Sequence, residues 1–61
     1  MKVREIIKII EKDNWALIRT KGSHRQFKHQ TKSGTVTIAG HPGDELHPKT
    51  ASSILKQAGL K

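Results

Sequence analysis

The chain has 61 residues, 12 Lys and Arg against 5 Asp and Glu for a net charge of +7, and no cysteine. So short a chain buries only about 60% of the surface its unfolded form exposes, which leaves a thin core and no room for a deep small-molecule pocket. Disulfides, thiolate metal sites and thiol chemistry are excluded, and no apolar run approaches the length of a membrane span or a secretion signal. The expectation is one domain over residues 1–61, soluble and cytoplasmic, that works through its surface.

In chain order, Val3, Ile6, Ile7 and Ile10 form one stripe of a helix, widened by Ile9, with most charged residues outside it. Asp13-Asn14 are poor helix formers, so the first helix is predicted over residues 2–12. Residues 15–20 (WALIRT) read as a strand, Lys21-Gly22-Ser23 as a turn and residues 24–29 (HRQFKH) as a second strand. A hairpin connection with Gly34 leads to a third strand, in which Val36 and Ile38 alternate with threonines. Residues 40–48 hold two Gly and two Pro and read as loop. Pro48 suits the first turn of a second helix, whose apolar face is Ala51, Ile54, Leu55 and Ala58. Gly59 is placed to end that helix, and Leu60 to pack back on its last turn. The fold class is therefore α+β, in the order α-β-β-β-α. Both helices lie on one face of a three-stranded antiparallel sheet, and the other face is open.

Charge is unevenly distributed. Between Asp13 and Asp44 stand Arg19, Lys21, Arg25, Lys28 and Lys32, with no carboxylate among them. Such a block attracts a polyanion, most commonly nucleic acid. Strand alternation sets Arg25, Phe27 and His29 on one side of strand two and His24, Gln26 and Lys28 on the other. Phe27, the sole phenylalanine, is assigned to the core, so His24 faces solvent and is separated from His29. Metal binding is not expected, because the four histidines show no ligand spacing.

The segment KGSHRQFKH (Lys21–His29), preceded by W-x-L-I-R and followed by HPGDELHPKTASSILKQAGL, resembles the HicA-type toxins of prokaryotic toxin–antitoxin systems. Three parts carry the resemblance. They are Gly22-Ser23-His24 with Phe27, the His41-Pro42-Gly43 loop, and the Ser53–Gly59 helix end. The resemblance implies a fold similar to double-stranded RNA-binding domains and an mRNA-cleaving endoribonuclease whose active histidine matches His24. It also implies a HicB-type antitoxin as partner, and no cofactor. This sequence departs from the family pattern at Asn14 and Lys49, where glycine is common, and at Ala39-Gly40, where a proline often stands.

RNA carries its own nucleophile, the 2′-hydroxyl, so its cleavage needs a base, donors for developing phosphorane charge and an in-line geometry. Histidine, with an unperturbed pKa of about 6.5, has a neutral ring available near pH 7. His24 is the expected general base. Lys21 and Lys28 are expected on phosphates, Gly22 to allow a close backbone approach, and Ser23 to offer a hydroxyl or N–H. Arg25 has inward parity, but its long stem can bring the guanidinium to the sheet edge. The general acid is left open among His41, Lys28 and solvent. The main rival is a non-catalytic RNA-binding module of the same element order, although the second helix opens with only Lys49 as a cation. A stacking platform is disfavoured by the chain's single Trp, single Phe and absence of Tyr.

Overall fold

Helix α1 (Val3–Lys12) forms on the predicted stripe and buries Val3, Ile6 and Ile10 in the computed structural model, which describes every residue from Met1 to Lys61. Its free N-terminal amides are satisfied from elsewhere in the chain. Val3 N–H donates to the Asp44 carbonyl and Arg4 N–H to that of Pro42, both at 3.0 Å. The long loop after the sheet therefore caps α1, meeting the need that every helix start creates.

Three strands follow: β1 (Ala16–Lys21), β2 (His24–Lys28) and β3 (Val36–Ala39), antiparallel and in spatial order β1-β2-β3. Helix α2 (Pro48–Gln57) closes the chain with Ala51 and Ile54 buried. The α-β-β-β-α order and the antiparallel sheet match expectation. Boundaries move by a residue or two. Trp15 precedes β1, Lys21 lies within it, and the turn narrows to Gly22-Ser23.

Both helices end in the same way. Asn14 (φ +73°) and Gly59 (φ +72°) occupy the left-handed position just past the C-cap. Trp15 N–H returns to the Ile10 carbonyl at 3.1 Å, and Leu60 N–H to that of Leu55 at 2.8 Å. These are Schellman closures. Glycine meets the left-handed requirement freely, whereas Asn14 carries part of its steric penalty.

The ten-residue core takes side chains from α1, β2, β3 and α2 together with Trp15 and Ala58, and none from β1. Phe27 is 1% exposed, as strand parity required. No helix is long and apolar enough to cross a membrane.

Candidate nucleic-acid interface

The open face of the sheet is built around the β1–β2 hairpin. Lys21 pairs with His24 across a two-residue connection, and Gly22 has φ +58°. Positive φ at the first connecting residue and not at Ser23 is the type II′ pattern, which matches strand twist and calls for glycine there. The turn thus fixes the register that sets His24 beside Lys21.

The pairing register contains one irregularity with a large consequence. Leu17 pairs with Phe27, but Arg19 pairs with Gln26, so β1 has one extra residue, Ile18, at a bulge. Leu17 shares the inward side of Phe27, two residues before Arg19, and plain alternation would turn Arg19 inward as well. The bulge reverses this parity and turns Arg19 and Lys21 toward the open face.

There they meet His24. A cavity of about 300 Å³ is lined by Arg19, Lys21, His24, Gln26 and Thr37, without a hydrophobic side chain. Gln26 is the strand partner of both Arg19 and Thr37, so the five residues span all three strands. The His24 ring makes no hydrogen bond within the chain and stands exposed. Two cations, a free imidazole, an amide and a hydroxyl converge on one concavity, a suitable donor set for a phosphodiester.

The other expected residues are dispersed. Lys28 is on the same face but four positions from His24, about 13 Å at strand rise, beside a separate depression. Arg25 faces the helix side, where its Nη1 donates to the Gly40 carbonyl at 2.7 Å and ties β2 to the capping loop. Ser23 is half-buried, and its carbonyl accepts from Gly40 N–H at 3.1 Å. Arg19, Gln26 and Thr37 are in the cavity although sequence reading gave them no role. Gln26 was legible as a same-face neighbour of His24, but Arg19 depends on the bulge and Thr37 on the β2–β3 register.

Two of the remaining histidines, His29 and His47, differ from His24 in having hydrogen-bonded rings. His29 Nδ1 accepts from Thr31 N–H at 3.0 Å and Lys32 N–H at 3.1 Å, so its Nε2 carries the proton and donates to the Asp13 carbonyl at 2.6 Å. Its ring also meets Trp15 edge-on, with centroids 5.3 Å apart. His47 caps α2, its Nδ1 accepting from Lys49 N–H at 3.1 Å. His41 lies in the turn closed by Asp44, whose carboxylate accepts the His41 backbone N–H at 2.9 Å, while its ring makes no hydrogen bond and lies outside the cavity that holds His24.

Lys32, counted in the cationic block, is likewise engaged internally. Its ammonium donates to Asp13 Oδ2 and, at 3.1 Å, to the Ala58 carbonyl at the end of α2. The hydrogen bond from Lys32 holds the Asp13 carboxyl below its usual 3.8, against a smaller opposing effect of burial. Trp15 Nε1–H donates to the same Ala58 carbonyl at 3.3 Å. Of the five cations between Asp13 and Asp44, Arg19, Lys21 and Lys28 make no such internal bond.

A family model described as the HicA toxin of bacterial toxin–antitoxin systems matches residues 3–60. No curated protein matches the chain. Because the match spans nearly the whole fold, from the first turn of α1 to the closure of α2, the chain belongs to the HicA toxin family and is the toxin of a toxin–antitoxin pair.

Proposed function

We propose that this toxin is an endoribonuclease that cleaves mRNA without a metal cofactor, with His24 as the general base on the 2′-hydroxyl. The observation that carries the reading is the contrast among the histidines. His29 and His47 are held by bonds to backbone, while the His24 ring is unbonded inside the cationic cavity.

In this mechanism Nε2 or Nδ1 of neutral His24 accepts the proton of the 2′-OH, and O2′ attacks the adjacent phosphorus. The bond from phosphorus to O5′ breaks, leaving a 2′,3′-cyclic phosphate on one fragment. The other fragment ends in a 5′-hydroxyl once a proton reaches O5′ from a general acid. Arg19 and Lys21 hold the phosphate and oppose the charge that builds on its equatorial oxygens. Gln26 and Thr37 offer an amide and a hydroxyl to the ribose, the feature that separates RNA from DNA. Gly22 lets the backbone approach closely, and Ser23 offers an N–H from the connecting turn. Lys28 engages a phosphate further along the strand. Arg25 acts as a positioning residue through the Gly40 carbonyl. The HicB-type antitoxin is the protein that masks this face.

The test is incubation of the purified chain with single-stranded RNA in the presence of a chelator. Cleavage to cyclic-phosphate ends is expected, with a loss of ~10²–10⁴-fold for His24→Ala in a chain that still folds. RNA retained but uncut would favour the non-catalytic binding module. Growth arrest undiminished in cells producing His24→Ala would overturn the assignment.

A further inference from the structure

Strand β1 is the part of the sheet that the core leaves out. All six of its residues are exposed. Leu17 and Ile18 are 50% and 55% exposed, more than any other large apolar side chain of the chain. No hydrogen bond outside the helices and the sheet ladders involves the backbone of residues 16–21, so the outer N–H and C=O groups of β1 are free. An edge of this kind accepts an added strand.

We propose that this edge receives an extended strand of the antitoxin, with acidic side chains on one face and apolar ones on the other. The proposal rests on the chain being the toxin of such a pair and not on its being a ribonuclease. Charge selects the occupant. The edge carries Arg19 and Lys21 on the open face, in a stretch without a carboxylate from Asn14 to Gly43. A second copy of this chain would bring a further +7 and set cations against cations. A partner strand with carboxylates opposite Arg19 and Lys21 meets complementary charge.

The bulge divides the edge into two parts. Arg19-Thr20-Lys21 beyond it is regular strand, suited to main-chain pairing, while Leu17 and Ile18 offer an apolar anchor. Because Arg19 and Lys21 also line the His24 cavity, carboxylates placed there occupy the positions a phosphate would take. Pairing at the edge and neutralisation of the cavity are then one event.

The experiment compares amide hydrogen exchange of the toxin alone and in complex with its cognate antitoxin, and measures the affinity of Ile18→Glu. Protection of β1 amides in the complex is expected, with at least tenfold weaker binding for Ile18→Glu. The variant should retain the growth arrest of the unaltered toxin when produced alone. Ile18→Thr, which keeps β-branching and the fold, should lose affinity in the same direction but by less. Amides of β1 that exchange in the complex as fast as in free toxin would overturn the proposal, as would wild-type affinity of Ile18→Glu. So would a toxin dimer in sedimentation that Ile18→Glu dissociates, since the edge would then belong to a second copy. None of these readouts involves RNA, so failure of the ribonuclease reading leaves them unaltered.

Discussion

Two regions of this small protein use the same residue types to opposite ends. At the C-terminal ends of the helices, Asp13, Trp15, His29 and Lys32 converge, each hydrogen-bonded within the chain, and Trp15 and Lys32 share the Ala58 carbonyl. Across the sheet, His24, Lys21 and Arg19 stand around a cavity and leave their donors unmatched. The first region joins α1, the β2–β3 connection and α2. The second holds nothing together. Polar side chains committed to internal partners stabilise a thin core, and those left free over a rigid sheet face are available to a ligand.

Single substitutions test whether the two regions differ in this way. His24→Ala is expected to abolish most activity, by ~10²–10⁴-fold, while thermal stability changes by no more than about 0.5 kcal/mol. A large drop in melting temperature would move His24 into the structural region. Trp15→Ala should do the reverse and destabilise the fold by about 3–5 kcal/mol, enough to unfold so small a domain, as circular dichroism would report. Arg19→Ala should leave folding intact and reduce the dependence of log K on log[salt] for single-stranded RNA by about 0.7, the signature of one phosphate contact. The same slope in Arg19→Ala as in the original chain would remove Arg19 from the phosphate site.

Smaller effects are expected at the helix ends and in acid. Asn14→Ala should lose about 1 kcal/mol through its left-handed backbone, and Asn14→Gly should gain stability, both measurable by urea unfolding. The Asp13 carboxyl is held below 3.8 by its bond to Lys32, so its contribution to stability is fully present above that value. It is lost as pH falls through the still lower folded-state value. Urea midpoints of the original chain and Asp13→Asn should therefore differ at pH 5 and converge in strong acid. Parallel curves across the whole range would show that the Lys32 bond contributes nothing.

Much of this was legible beforehand, for reasons that differ by residue. The departure at Asn14 marked the site where the backbone turns left-handed, because the helix end is a local event. The outward direction of His24 followed from Phe27, since alternation along five residues of strand leaves no choice. Lys32 misled, because a cation counted in a block reveals nothing of a carboxylate 19 residues away. Strand parity sets Arg25 inward, but its bond to Gly40 depends on where the loop after β3 returns.

Residue order is enough to set the periods: 3.6 for two helices, 2 for three strands, and a glycine where the hairpin must reverse. These are short-range properties, set by side-chain spacing and backbone sterics. The bulge of β1 at Ile18, and with it the meeting of Arg19 and His24, arises only when the strands pack. Packing also turns Lys32 inward to Asp13 and leaves β1 out of the core. A bulge shifts register by one residue and reverses every later side chain, and which register prevails depends on the packing of all the strands together.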